Sequence, residues 1–293
     1  MKSVIKNILP ERAVNGLQRF RQRRKKARRE SQATITEAMF REILTDHLNV
    51  RAGDVVFVHS SVDRLKLDFR FSRIIPLLFE VVGERGTLLF PTYPKLTSHE
   101  YLRSGEVFDM RKTPSYMGML TEAARRDRRS VRSLHPTKSV CAIGPLACEI
   151  TSTHQDSPYP YDSSSPYYRI MDHGGKIIGL GVSTESLSFV HCVDDALKSE
   201  FPVEPYVPEL FDARCINDDG REVAVQTYVH DMTKMKHDVP RFVRKHVSKA
   251  ACEDLVIYGA PFFRADARVL FDEMVACARQ GVTIYPRSVY KRA

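Results

Sequence analysis

The residues best suited to chemistry sit in LGVSTESLSFVHCVDD, residues 180–195, where small and hydroxyl side chains lead from an apolar strand to a histidine with two carboxylates just beyond it. His191 and Asp194 are three apart, so if the segment from about Ser186 is helical, both side chains point the same way. An imidazole beside a carboxylate is a candidate general base and also a common surface pair, and spacing alone leaves both readings open. Cys192 is the rival nucleophile. Adjacent helical residues point about 100° apart, so a thiol acting with His191 is disfavoured against a buried structural cysteine. Further polar groups fall at the ends of apolar strands: HSS at 59–61, FPTYP at 90–94 and HPTKS at 135–139. In α/β sheets such ends are where sites are built.

The elements that must position these groups are legible as alternating periods. After residue 34 the run TITEAMFREILTDHLNV has Met39, Phe40, Ile43, Leu44 and Leu48 at helical spacing, with Thr34 and Glu37 as a capping box. AGDVVFVHSS then reads as a turn and a buried strand, SRIIPLLFEVVG as a helix ended by Gly83, and RGTLLFPTY as a second strand. Strand, helix, strand in about forty residues is a βαβ unit, which requires a sheet covered on its faces. SYMGMLTEAARRD predicts a helix with Met117, Leu120 and Ala124 on one face, and SVCAIGPLACEI a strand and short helix. HQDSPYPYDSSSPYYRI fits neither period and reads as a long loop. GGKIIGLGV predicts a strand over 176–182, and residues 210–229 a hairpin with Asp219 and Gly220 at its tip. The last part reads as one strand and a helix from about Ala265, followed by the short VTIYP. The expected fold is a layered α/β/α domain with a central mixed β-sheet and a hairpin-containing C-terminal part.

Composition narrows the class. A chain of 293 residues, 43% apolar and 28% charged, folds into a substantial core. Its six cysteines are scattered with no CxxC pair, so neither a zinc site nor a disulfide framework is suggested, and reduced thiols in a cytoplasm are the default. The longest apolar run, IIPLLFEVV, is far below the roughly 18 residues of a membrane span. The net charge of +9 is concentrated: residues 1–30 carry eleven Lys or Arg against Glu11 and Glu30, and the remainder is neutral by count. This leader, taken as residues 1–33, lacks the apolar core and cleavage site of a secretory signal. It reads as a solvated arm, or as a surface helix making peripheral contact with anionic lipid at the inner membrane. Nucleic-acid contact is the weakest reading, because no binding module follows.

Five blocks in one order, GDVVFVHSSV, GTLLFPTY, TPSYMGMLTEAARR, RSLHPTKSVCAIGPLA and GGKIIGLGV…LSFVH, resemble the aminoglycoside 3-N-acetyltransferase family over roughly residues 34–286. The resemblance implies an acetyltransferase domain over 34–293, using acetyl-coenzyme A as cosubstrate and no metal, with a fold distinct from GCN5-like acetyltransferases. His191 matches the family's catalytic histidine, and Asp194 stands where relatives generally carry Glu, one methylene longer. A sugar amine must lose a proton before attacking a thioester, so a histidine base oriented by a carboxylate suits the reaction. Ser60, Ser61, Ser115, Met117 and Gly118 match blocks that line the coenzyme A groove in relatives; His135, Thr137 and Ser139 of the matched HPTKS block are assigned to the cofactor site as well, His135 having as its alternative the satisfaction of backbone groups before Pro136. The family's glycine-rich turn after the HSS serines is replaced by VDRLKLDFRFSRII, where Arg64, Lys66 or Arg70 offers charge to the diphosphate instead. Glu185, Asp194 and Asp195 are candidate acids for a cationic acceptor but form no acidic run. An amino sugar of a nucleotide-linked or surface-polysaccharide pathway is therefore preferred over an aminoglycoside antibiotic. A non-catalytic relative tethered to a membrane or polyanion is the reading of a different class. The oligomeric state is left open, with a homodimer among the options.

Overall fold

The computed structural model describes residues 32–291, so the basic stretch 1–31, with the membrane and arm readings made of it, lies outside the described residues. Gln32 and Ala33, assigned to the leader from sequence, belong to the body: the Ala33 amide donates to the Tyr258 carbonyl at 3.2 Å and the Gln32 side chain to that of Gly259 at 3.3 Å.

The first helix, α1 (Glu37–Glu42), passes directly into a wider π turn at Ile43–His47. Its cap is Thr36, whose hydroxyl accepts from the Met39 amide, so the capping box expected of Thr34 and Glu37 is displaced. The next three elements follow the expected βαβ order: β1 (Val55–Ser60), α2 (Ile74–Val82) and β2 (Thr87–Pro91). Val55 to His59 are buried, as an apolar strand covered on both faces requires. Then come α3 (Ser98–Ser104), β3 (Phe108–Asp109), α4 (Met119–Arg126), β4 (Val131–Arg132), β5 (Val140–Ile143) and α5 (Ala147–Thr151). The long Pro, Ser and Tyr segment is a succession of turns closed by the single turn α6 (Pro166–Arg169). Beyond it lie β6 (Lys176–Leu180), α7 (His191–Leu197), the hairpin β7 (Phe211–Ile216) and β8 (Glu222–Thr227), and α8 (Val239–His246). The chain then forms β9 (Cys252–Ile257), β10 (Ala260–Asp266) and α9 (Ala267–Arg279). No helix among the described residues is long and apolar enough to cross a membrane.

Seven strands form a mixed sheet in the order β4-β5-β2-β1-β6-β10-β9. The three central strands are parallel, with Val55 opposite Thr87 and His59 opposite Gly179, while the outer pairs are antiparallel. The chain leaves β1 toward β2 on one side and returns as β6 on the other. A crevice therefore opens beyond the carboxyl ends of β1, β2 and β6, at Ser60, Pro91 and Leu180. Two apolar cores cover the faces of this sheet, and a third small core, including Phe108, Ala213, Cys215 and Val225, lies under the separate three-stranded sheet β3-β7-β8.

Two expectations fail for local reasons. The strand predicted to reach Val182 stops at Leu180, because Gly181 adopts φ +74 and passes so close to the Ser61 carbonyl that a side chain there would overlap it. The single C-terminal strand is a hairpin, β9 and β10, turning at Tyr258 and Gly259, with φ of 51° and 79°. A primed two-residue turn needs both φ values positive, and Tyr258 hides that signal. Gly179 in β6 faces the buried ring of Phe263, and a β-carbon added there would overlap the ring. Gly179→Ala is expected to destabilise by about 1–3 kcal/mol through overpacking. Thermal unfolding would read this as a lowered midpoint; an unchanged one would show that Phe263 has room to move.

Candidate active site

Helix α7 starts at His191, directly after a 3-10 turn at Ser188–Val190, so its first turn sets His191 and Asp194 on one face. His191 Nδ1 donates to Asp194 Oδ2 at 3.0 Å, and both residues are buried. The shorter carboxylate therefore still reaches the ring. The same oxygen accepts the Tyr285 hydroxyl at 2.6 Å, and that hydroxyl lies 3.3 Å from His191 Nδ1. Burial, and then the neighbouring Asp194 charge, push the Tyr285 phenol well above its ordinary range, so it stays protonated and goes on donating. With Nδ1 held as a donor, Nε2 carries the ring's lone pair. The arrangement can take a proton at Nε2 and stabilise the resulting imidazolium from behind.

The next two residue types on α7 serve the fold. Burial raises the Cys192 thiol well above its usual range, which makes it a structural cysteine rather than a nucleophile. Asp195, expected as a substrate-facing acid, is fully buried and accepts the Tyr206 hydroxyl at 2.6 Å and the Tyr161 amide at 2.8 Å. It ties the turn-rich segment before β6 to α7.

A cavity of about 230 Å³ sits at the crevice of the central strands. Its walls are His59 and Ser60 from the end of β1, Pro91 from β2, Met117, residues 185–188, His191 and His237. Ser60 Oγ, His59 Nε2 and His237 Nδ1 are buried there with no hydrogen-bond partner among the described residues. Unpaired polar atoms in a cavity are costly to keep, so water or a polar ligand completes their bonding. Burial lowers His59 to about 3 and His237 to about 4, the latter also through His191 nearby, so both are neutral at neutral pH. His230 packs 4.5 Å from the His191 ring, and burial lowers it well below the usual range.

Donor atoms of His191, Asp194 and His230 lie within 4.8 Å of one another, a spacing that could hold a metal ion. Asp194 Oδ2, however, already accepts from His191 Nδ1 and Tyr285, and a cation at that point would break both bonds. The geometry is that of a hydrogen-bonded dyad with a tyrosine attached.

The sequence-derived residues divide clearly. His191, Ser60, Met117 and the acid Glu185 line the cavity, with Asp194 behind the imidazole. Gly118 caps α4 with φ +122, and a β-carbon there would lie 3.9 Å from the Ser60 carbonyl, beside the site. Ser115 is buried in the turn before α4, its hydroxyl bonded to that of Thr121 at 2.8 Å and accepting the Met117 amide at 3.3 Å. Ser61 turns away to Asp63, Arg64 and Arg70 are exposed outside the cavity, and Lys66 donates to the Gln32 carbonyl. His135 is fully buried: its Nδ1 accepts the amides of Thr137 and Lys138, and its Nε2 meets Thr227 Oγ1 at 3.2 Å. Ser139 donates to the Thr92 carbonyl at 2.8 Å, and Thr137 is buried beside them. The HPTKS block therefore joins the two sheets rather than lining the cavity. Sequence reasoning missed Tyr285, His230 and His237 outright. Their one signal is a tyrosine or histidine in otherwise unassigned loops. It noted His59 only within the HSS cluster.

A family model described as Aminoglycoside 3-N-acetyltransferase matches residues 57–279. An aminoglycoside N(3)-acetyltransferase IX from Micromonospora chalcea is 28% identical over 172 residues, covering 54% of this chain and 60% of the relative, so the match spans under two thirds of that protein. Among solved structures, aminoglycoside acetyltransferase AAC(3)-Xa superposes with a TM-score of 0.73 at 20% identity, over 90% of this chain and 99% of that one. AAC-IIIb in binary complex with CoASH superposes with a TM-score of 0.70 at 19% identity, over 86% and 98%. The structural likeness carries the α/β/α fold, with its mixed seven-stranded sheet, across at these low identities. The family model spans most of the chain and contains both members of the dyad, and on that match the chain belongs to the aminoglycoside 3-N-acetyltransferase family.

Proposed function

We propose that the protein is an acetyl-coenzyme A dependent N-acetyltransferase acting on an amine of an aminoglycoside, with His191 as general base. The observation that carries the reading is the buried dyad at the cavity, its Nδ1 fixed by Asp194 and its Nε2 left to accept. The acceptor amine gives a proton to Nε2 as its nitrogen bonds to the thioester carbonyl carbon. The tetrahedral intermediate then expels coenzyme A by breaking the C–S bond, and the thiolate recovers the proton from His191. Ser60 Oγ, unpaired in the cavity wall, is suited to donate to the developing oxyanion.

The preference drawn from sequence for a nucleotide-linked or surface-polysaccharide sugar gives way here. It rested on the missing acidic run and on the basic leader, whereas the family description and the Micromonospora relative both name aminoglycosides. A relative with CoASH bound supports coenzyme A as the carrier. The test is coenzyme A release with acetyl-coenzyme A against panels of aminoglycosides and of nucleotide-linked amino sugars. Turnover with aminoglycosides is expected. Turnover confined to the second panel would restore the earlier preference, and turnover with neither would sink the enzyme reading.

A further inference from the structure

Lys138 is the one side chain of the HPTKS block that the joint between the two sheets leaves unexplained. Its backbone is committed there: the amide donates to His135 Nδ1 at 3.0 Å and the carbonyl accepts the Tyr167 hydroxyl at 3.4 Å. Its ammonium is left over. Four lysines among the described residues are only partly exposed: Lys66, Lys138, Lys176 and Lys234. Lys66 donates to the Gln32 carbonyl at 3.3 Å, Lys176 pairs with Asp54 at 2.7 Å, and Lys234 donates to the Glu204 carbonyl at 2.9 Å. The Lys138 ammonium forms no hydrogen bond or ion pair among the described residues and lies 4.7 Å over the Tyr93 ring. A ring face steadies the charge without giving its three N–H groups an oxygen. Burial lowers this ammonium to about 8, so it keeps its proton at neutral pH.

The charge sits beside the dyad. Tyr93 stands just beyond Pro91, a wall of the cavity, and its hydroxyl is bonded to that of Tyr167. The Tyr161 ring continues the contact, 4.8 Å from Tyr167 and 5.3 Å from His191. His230 packs on the other members of the cluster, its ring 4.5 Å from His191 and stacked 4.6 Å from Tyr206. Burial, then His191, then the Lys138 charge lower His230, so Lys138 acts at the group packed against the imidazole. His230 Nε2 is itself buried with no hydrogen-bond partner among the described residues. Lys138 and His230 thus offer an unmatched cation and an unpaired ring nitrogen next to the dyad. An ammonium has donors and no lone pair, so it takes an oxygen, and a second ammonium brought to the same place meets like charge and offers nothing to accept with.

We propose that Lys138 is a specificity-determining residue for the acceptor, donating to a hydroxyl near the reacting amine and disfavouring acceptors that carry a second ammonium in that place. The inference rests on the aminoglycoside acetyltransferase reading and narrows it to acceptors whose reacting amine has a hydroxyl neighbour. Selectivity of this kind is built from one attractive and one repulsive element at the same atom.

Calorimetry without acetyl-coenzyme A, on the full chain and on Lys138→Met and Lys138→Arg, tests this with two matched pairs of probes. Kanamycin A and kanamycin B, and paromomycin and neomycin, differ within each pair by a hydroxyl in place of one amine. The parent protein is expected to favour the hydroxyl member of at least one pair by about tenfold, the worth of one charge-assisted hydrogen bond. Lys138→Met should lose that preference, in part by binding the amine member more tightly, and Lys138→Arg should keep it. Damage to the fold weakens both members alike, so a tightening of one is a readout that a merely structural role does not produce. The side chain gives up no hydrogen bond within the protein, and a thermal melt checks the variant; Lys138→Gln replaces Lys138→Met if that one is unstable. In steady-state kinetics the change should appear in KM of the amine member more than in its kcat. Equal preference in parent and Lys138→Met for both pairs overturns the proposal, whether or not acetyl transfer occurs. Absence of acetyl transfer with the preference shifting as expected would count against the proposed function alone, and no binding of any of the four probes would sink both.

Discussion

His191→Ala should lower kcat by about 10²–10⁴-fold, the range that positioned acid–base catalysis supplies, while acetyl-coenzyme A binds nearly as before. The ring is the one group in the cavity with a carboxylate fixing its tautomer, and no neighbour can take over the role. His59 and His237 line the same cavity, but burial holds them near 3 and 4, and bases that weak take little of an amine's proton at neutral pH. His230 is in the same position, lowered well below its usual range. Steady-state kinetics with a calorimetric control for the cosubstrate would measure the loss, and added imidazole should return part of the rate. An unchanged kcat would remove His191 as the base.

Acid should unfold the protein over an unusually wide window. Burial depresses five histidines: His59 and His154 to about 3, His237 to about 4, and His135 and His230 well below the ordinary value. The unfolded chain protonates these rings near pH 6.5 while the native one does not, so below that pH the unfolded state binds more protons. Stability is therefore full above about 6.5 and falls as pH drops toward 3 to 4. Each ring adds a slope approaching about 1.4 kcal/mol per pH unit. Asp195, raised by burial, works in the opposite sense, since it binds its proton more readily when folded, but it is one group against five. Urea midpoints measured from pH 8 to 4.5 should be level at first and then decline steeply below 6.5. A profile flat from 7 to 5 would show that these rings are hydrated or paired in solution.

What could be read from the sequence depended on how far apart the cooperating residues lie. The βαβ unit from β1 to β2 is continuous in the chain, with apolar runs of the right period and a glycine stop, so it was legible. The dyad was legible for the same reason, being one helical turn long. Tyr285 is 91 residues from Asp194 and meets it only because the segment after α9 folds back under α7. No local pattern encodes that meeting. His135 shows the converse error. A polar block at a strand end looks alike whether it faces a cavity or receives backbone amides, and here the amides of Thr137 and Lys138 claim it. The charges that were to replace the missing glycine turn were sought next to it, in Arg64 and Lys66. Arg64 and Arg70 are exposed outside the cavity and Lys66 donates to the Gln32 carbonyl, so none of these cations faces the site.

Helix α7 divides its side chains by angle. His191 and Asp194 share one face, while Cys192 and Asp195, displaced by one residue, point into the core and toward Tyr161 and Tyr206. The His191 ring therefore rides on an element anchored from behind. Its orientation is fixed when the chain folds, so a proton transfer at Nε2, as proposed, would need little further ordering. The turn-rich segment held by Asp195, though distant from His191, therefore becomes part of what fixes the direction of the imidazole.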